Sequence, residues 1–333
     1  MKKFVFVISI IAALFISCRS ESSDAPPLPR GMYIAGVYNG MGAYQVCYWT
    51  DSSIVPLAGP SLMVSYDHVF SISVSGISGS TVFVASSIPH SMPTIAWLDG
   101  THYVFQDSWD FIFNNNKIYK VRSNGVILAD DAQISPVDFY VRNYTVHDGT
   151  VYAAGYCNHD WAYPAYSIDA DIYNITLSED MTRFYSDAIT VGADGAVYIA
   201  GHEYADDSSN KKCWYYVDGE FIELVDFFIH YDSIRRIKVS NGKFYVFGSN
   251  RHWGSSILPN KFKYFVDGSE ITISLPDNFN MFALDVHDGK VYALGNRKNS
   301  KEPYTACYWV DGELHDLPGY IPYSIATAMF IAE

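Results

Sequence analysis

Apolar and polar residues alternate along this chain in short runs, and the runs recur in a fixed order. One phrase joins two runs through a polar turn: TVHDGTVYAAG at 145–155, TVGADGAVYIAG at 190–201, KVSNGKFYVFG at 238–248 and DVHDGKVYALG at 285–295. Its second half stands alone as GMYIAG at 31–36, and weaker copies are GISGSTVFVAS at 76–86 and DFIFNNNKIY at 110–119. Period-2 alternation rich in β-branched and aromatic residues predicts half-buried strands. The turns Asp148-Gly149, Asp194-Gly195, Asn241-Gly242 and Asp288-Gly289 predict two-residue type I′ hairpins, whose central residues both need positive φ. Helical periodicity is absent throughout.

A second signature follows each phrase after a variable stretch: CYWTD at 47–51, IAWLDG at 95–100, WYYVDG at 214–219, KYFVDG at 263–268 and CYWVDG at 307–312, with AYSIDA at 165–170 as a degenerate copy. Short runs such as EFIEL at 220–224 come next, across Asp99-Gly100, Asp218-Gly219, Asp267-Gly268 and Asp311-Gly312. Each unit therefore reads as four antiparallel strands, a to d. The aromatic anchors Tyr33, Phe83, Tyr119, Tyr152, Tyr198, Tyr245 and Tyr292 are spaced 50, 36, 33, 46, 47 and 47 residues apart. Units of this length and number predict an all-β fold, a seven-bladed β-propeller of four-stranded antiparallel blades. The third unit, near 117–140, shows no c signature, so six blades is the alternative count. The first unit starts in strand b, and SIATAMFIAE at 324–333 is a spare strand a. Pairing the two would close the ring and remove exposed edges.

This layout resembles kelch-type propellers, whose a strand, Asp/Asn-Gly turn and b strand read much the same and which close through a C-terminal a strand. The Gly-Gly doublet that ends strand b in that family is Ala-Gly, Leu-Gly or Phe-Gly here. The chain also resembles bacterial lipoproteins of unknown role built on YW-x-DG repeats, a class that supplies no catalytic residues to carry over.

The N-terminus has a different pattern. Lys2 and Lys3 precede an apolar run, Phe4 to Ile16. The run is shorter than the roughly 20 residues a bilayer span needs, which predicts a signal peptide over 1–17. Leu14-Phe15-Ile16-Ser17-Cys18 resembles the lipobox of bacterial lipoproteins, with Phe15 where Leu is usual. That resemblance implies lipidation of Cys18, membrane attachment through the lipid, and a place in the cell envelope, by expectation the outer membrane. Residues 18–30 then hold the lipidated Cys and a flexible tether, and 31–333 the propeller. Removing 1–17 leaves 20 basic and 36 acidic side chains, a formal charge of −16. Nucleic acid is excluded as a partner on this balance. Cys47 and Cys307 occupy one place in two repeats and Cys213 sits one residue earlier in its own. Such positions lie too far apart for a disulfide, which needs Cα atoms within about 7 Å, so these thiols are expected to be free and buried.

Candidate chemistry sits in the long b–c and d–a loops, which share one end of the ring. His159-Asp160, His202-Glu203 and His252 are weighed as metal ligands, and Asp160, Asp206 and Asp207 as paired glycosidase carboxylates. Solvated loop polars account for both sets better, and no metal or cofactor is expected. GxSxG, Gly-rich phosphate-loop and Asp-box motifs are absent. Trp49, Trp97 and Trp309 read as core, whereas Trp161 and Trp253 lie in loops beside His and charged residues. The residues expected to bind a ligand are Tyr156, His159, Trp161, Tyr204, Arg251, His252 and Trp253. The function expected is a binding or interaction module for a carbohydrate or peptide. The alternatives are an envelope hydrolase or lyase acting on a polysaccharide or peptidoglycan, and a structural or assembly subunit.

Overall fold

A computed structural model describes residues 32–40, 43–50, 53–57, 69–75, 81–87, 94–99, 101–105, 108–115, 117–122, 124–136, 138–157, 164–175, 184–204, 211–224, 233–249, 261–267, 269–297, 304–318 and 323–331. These residues form seven four-stranded antiparallel sheets and no helix. Blade 1 holds β1 (Met32–Gly40), β2 (Ala43–Trp49) and β3 (Ile54–Pro56). Blade 2 holds β4 (Val69–Ser75), β5 (Thr81–Ser87), β6 (Thr94–Leu98) and β7 (Thr101–Phe105). Blade 3 holds β8 (Ser108–Asn114), β9 (Lys117–Arg122), β10 (Ile127–Ala129) and β11 (Ala132–Gln133). Blade 4 holds β12 (Phe139–His147), β13 (Thr150–Cys157), β14 (Pro164–Ile168) and β15 (Asp171–Asn174). Blade 5 holds β16 (Phe184–Val191), β17 (Val197–Tyr204), β18 (Lys211–Val217) and β19 (Glu220–Leu224). Blade 6 holds β20 (Ser233–Ser240), β21 (Lys243–Ser249), β22 (Lys261–Val266) and β23 (Ser269–Ser274). Blade 7 holds β24 (Phe279–His287), β25 (Lys290–Arg297), β26 (Thr305–Val310) and β27 (Glu313–Asp316), and β28 (Ser324–Ile331) joins blade 1. The ring is thus seven-bladed and closed: β28 pairs with β1 from Met32↔Ile331 to Tyr38↔Ser324. The six-blade alternative fails, because the third unit is a complete if short blade. Its c–d turn is Asp130-Asp131, both at positive φ (44° and 72°), in place of the Asp-Gly of blades 2, 5, 6 and 7.

The hairpins explain the repeated dipeptides. Asp148-Gly149, Asn241-Gly242, Asp288-Gly289, Asp218-Gly219 and Asp311-Gly312 all have positive φ at both residues. Asp194-Gly195 departs from expectation. The link there runs from Gly192 to Ala196, closed by Gly192 N–H to Ala196 O at 2.9 Å, and Gly195 alone has positive φ. Asp recurs in the c–d turn for a second reason. The Asp99 N–H donates to Val82 O, and the Asp99 carboxylate accepts the Val82 N–H at 3.0 Å. Asp130 with Ile118, Asp169 with Val151, and Asp267 with Phe244 repeat this reciprocal pair. The turn aspartate therefore ties the c–d hairpin to the start of strand b.

The repeated glycine has an equally local cause. Six of the seven innermost strands carry a β-bulge at one level, with Trp109, Arg142, Asp187, Arg235, Phe282 and Thr327 as the extra residues. The bulge presses a carbonyl onto strand b. A Cβ built on Gly155, Gly201 or Gly295 would lie 1.9 Å from the carbonyl oxygen of Tyr140, Tyr185 or Asn280, and one on Gly36 would lie 2.1 Å from that of Ile325. Strand β4 pairs with β5 without a bulge, and there the matching residue is Ser86. Blade 3 is bulged but has Arg122 at this place. Its β8 begins at Ser108, the residue opposite Arg122, so among the described residues a single strand residue precedes the bulge.

The core is distributed over the seams between blades. Seven buried clusters each join two neighbouring blades, including one between blades 7 and 1 built from Met32, Ile34, Trp49, Tyr308 and Met329. The c-strand tryptophans Trp49, Trp97, Trp214 and Trp309 are buried, and each packs against the preceding blade. Cys47, Cys213 and Cys307 are buried free thiols, as expected from their spacing, and Cys157 is a half-buried free thiol.

Candidate functional site

Strand a runs from the variable-loop end of the ring to the tight-turn end, so its bulge lies near the variable loops. One layer beyond the bulge, the residue after each repeated glycine faces a partner on the innermost strand. In blade 1 this pair is Val37 and Ile325, both buried and apolar. Blade 6 places Ser249 opposite Ser233. In blade 7 Asn280 donates an amide hydrogen bond to Asn296 at 3.2 Å. Blades 4 and 5 carry rings. Tyr140 stacks on Tyr156 with centroids 4.9 Å apart, and Tyr185 stacks on His202 at 4.8 Å with the planes 7° apart. A position that only filled space would stay apolar as in blade 1; this layer turns polar in blades 6 and 7 and carries stacked rings in blades 4 and 5.

The bulge residues extend this pair of stacks. Asp187 accepts a hydrogen bond from His202 Nδ1 at 2.5 Å, and both side chains are 8 % exposed. The carboxylate fixes the imidazole orientation and places a proton on Nδ1. Arg142, the bulge residue of blade 4, is exposed. It acts on Tyr156: burial pushes that phenol up, Tyr140 and Tyr185 add to the push, and the Arg142 guanidinium opposes it. The Tyr140–Tyr156 stack shares the face of blade 4 on which Ala154 packs toward blade 5, and the Tyr185–His202 stack shares the face of blade 5 on which Ala200 and Cys213 pack toward blade 6, so the two stacks are successive features of the loop end, with Arg142 and Asp187 at the bulges beside them.

Among the residues expected to bind, Tyr156 lies at the centre of this site, 4 % exposed and covered by Tyr140. Tyr204 is the last residue of β17, paired with Lys211, in the blade that carries His202. His159 and Trp161 lie outside the described residues, in the segment between β13 and β14, and Arg251, His252 and Trp253 lie outside them between β21 and β22. His202 and Glu203 do not converge. Successive strand residues face opposite ways, and Glu203 is 4.0 Å from Lys212 while His202 bonds Asp187. Burial pushes the Glu203 carboxyl up, against the pull of Lys212. No group of three metal-ligating side chains occurs among the described residues. Tyr140, Arg142, Asp187 and Tyr185 were missed because they lie in strands, Tyr185 as the second residue of β16. A signal for them was present: the residue after the repeated glycine changes from Val to Tyr, His, Ser and Asn, while those before it stay apolar or aromatic. Among the described residues the exposed large apolar side chains are scattered: Tyr103 and Val104, Ile172 and Tyr173, and Ile271 sit on the outermost strands of blades 2, 4 and 6, Phe282 at the bulge of blade 7, and Tyr323 just before β28.

A scan against protein-family models finds none that matches this chain, and no curated protein matches it by sequence. Solved structures do match in shape. The β-propeller domain of the Trilobed protease from Pyrococcus furiosus aligns with 90 % of this chain and 95 % of its own, at 13 % identity and TM-score 0.53. The Pyrococcus horikoshii acylaminoacyl peptidase aligns over 90 % of this chain at 14 % identity and TM-score 0.53, and this chain spans about half of it, 52 %. A quinonprotein alcohol dehydrogenase-like protein from Bacteroides thetaiotaomicron aligns over 89 % of this chain and 78 % of its own, at 11 % identity and TM-score 0.50. At these identities the likeness establishes the propeller fold. The P. furiosus domain is described as having an open velcro topology, whereas β1 and β28 close the ring here.

Proposed function

We propose that this protein is a lipid-anchored binding protein of the bacterial cell envelope. Its variable-loop end, centred on blades 4 and 5, takes a carbohydrate or peptide. The observation that carries this reading is the pair of aromatic stacks, Tyr140 on Tyr156 and Tyr185 on His202, at a layer that is apolar in blade 1. Aromatic faces with polar edges suit ligands that are part apolar and part hydrogen-bonding. Variable loops on a rigid scaffold are where such folds place binding. Anchoring rests on Ser17-Cys18 after the apolar leader, with 19–30 as spacer and the outer membrane as the site. Two experiments test the reading. A glycan and peptide array probed with the soluble domain should give a ligand that Tyr156→Ala, Trp161→Ala or Trp253→Ala weakens; binding that survives all three removes this end of the ring from consideration. Incorporation of radioactive fatty acid should disappear in Cys18→Ala, and label that persists means the anchor is misassigned.

One observation favours a catalytic reading, an envelope hydrolase or lyase: an Asp-oriented imidazole is the arrangement a general base needs. Turnover of an arrayed ligand, lost in His202→Gln, would put that reading first. The peptidase propellers among the similar structures share the fold with this chain but lend it no residue of their chemistry.

A further inference from the structure

We propose that the loop-end mouth of the ring at blades 4 and 5 is a subsite for a carboxylate-bearing saccharide, with Arg142 taking the carboxylate and Tyr140 and Tyr185, on the neighbouring innermost strands, lining the place of the sugar. This deepens the binding reading above and rests on it.

The first support is charge. The chain is strongly acidic, with 36 acidic against 22 basic side chains. Its seven innermost strands reverse that balance: Arg142, Arg235, Arg236 and Lys238 stand against Asp110, Asp187 and Asp285. An anion approaching this protein meets repulsion over most of the surface and the least of it along the axis. Several of these charges are already committed. Arg236 donates to Leu284 O at 2.9 Å and to Asp285 at 3.3 Å, and Lys238 lies 3.6 Å from the same carboxylate. Asp187 holds His202, and Asp110 accepts the Phe111 N–H. Arg142 forms no ion pair or hydrogen bond among the described residues, and it is exposed.

The second support is position. Arg142 is the inserted residue of a bulge, a device that re-aims a side chain. Its strand is covered by β13 within the blade and by β8 and β16 from the adjacent blades. An exposed side chain on such a strand opens toward the axis and its loop-end mouth. The third support is the company it keeps. Tyr140 lies two residues before it, Tyr185 occupies the matching place in blade 5, and both are half-buried rings backed by a second ring. A flat ring with a phenolic edge fits the C–H face and hydroxyls of a pyranose. A peptide would instead seek an edge strand or an apolar pocket, and no exposed aliphatic anchor stands among the described residues here. A lone guanidinium, with its two-pronged fork, matches a carboxylate in particular.

The test is calorimetry on the full chain in detergent. The probes are galacturonan, glucuronan and mannuronan tetrasaccharides, their uncharged methyl esters, and a tetrapeptide set with free or amidated C-termini. At least one uronan should bind, its ester at least tenfold more weakly, and added salt should narrow the gap. Arg142→Gln should weaken uronan binding by about tenfold to a hundredfold, the worth of one charge-assisted hydrogen bond, and leave the ester unchanged. Lys243→Gln, an exposed cation at the tight-turn end, should change neither. Equal binding of acid and ester, or of wild type and Arg142→Gln, overturns the carboxylate assignment while leaving a saccharide site in place. Binding of peptides but no uronan overturns the saccharide assignment and leaves the general binding reading intact. Failure of every probe, with a folded protein by circular dichroism, defeats both.

Discussion

Glycine does two different jobs in this repeat, and they separate at single residues. Gly219 is in a hairpin turn at φ +88°, with nothing within 4 Å of where a Cβ would stand. Its role is conformational. Gly155 lies in a strand, and its missing Cβ is what lets the Tyr140 carbonyl approach. Gly219→Ala should therefore cost about 1 kcal/mol, the strain of a left-handed L-residue, and Gly219→Asn less, because Asn tolerates that region. Gly155→Ala should cost about 3 kcal/mol, since a backbone carbonyl must be displaced, and Gly155→Asn should be no better. Urea denaturation of the four variants checks this. Equal costs for the two alanine variants would mean that the bulge yields to a Cβ, and that the carbonyl contact does not account for the strand glycine.

At the level of strands and blades, the sequence was legible wherever chemistry and geometry coincide. Positive φ at both turn residues selects Asp-Gly or Asn-Gly, so the hairpins of blades 4, 6 and 7 could be read directly. Blade 3 was obscure because Asp130 and Asp131 adopt the same geometry without a glycine. The bulges were illegible. An inserted residue such as Arg142 or Asp187 breaks period 2 once, within a run too short to show it, and only the glycine opposite betrays it. The site was half legible for the same reason: Tyr156 stood out by type, whereas its cover, Tyr140, looked like any strand aromatic. Blade 3 also carries a testable cost. Asp110 follows its bulge, and burial pushes its carboxyl up to about 6 from the usual 3.8, with the Phe111 N–H pulling the other way. Between those values the native state holds a proton that the unfolded chain has released. Stability contributed by this group therefore falls as pH rises from about 4 to 6, and the penalty is complete above 6. Asp110 keeps some contact with solvent, which trims the effect to about 1–2 kcal/mol. Asp110→Asn retains the acceptor for Phe111 and removes the titration. Relative to it, the wild type should lose about 1–2 kcal/mol between pH 4 and pH 7, measured by denaturant midpoints, and two superimposable pH profiles would refute the assignment.

For the whole molecule, a core divided among the seams between blades makes closure decisive. Each blade buries its faces only against its two neighbours, so the ring has seven seams and stability is shared among them. β28 contributes to two. Ala326, Met329 and Ile331 pack in the seam with blade 7, and Ile325 and Ala328 in the seam with blade 2. It also supplies the innermost strand of blade 1, pairing along β1 from Met32 to Tyr38. Removing Ile325, Met329 and Ile331 alone forfeits about 5–8 kcal/mol of apolar burial, which is comparable to the net stability of a whole domain. A chain lacking 324–333 should therefore fail to melt cooperatively, rather than melt a few degrees early. Lost closure can be told from general damage by complementation. A synthetic 319–333 peptide added in trans should pair with the vacant edge of β1 and restore a cooperative melt in a concentration-dependent way, as a ligand of the native state does. The same peptide carrying Ala326→Glu should not, because position 326 is fully buried beside Gly36. Cooperative unfolding of the truncated chain at the wild-type midpoint would show that six seams suffice and that β28 is an accessory strand.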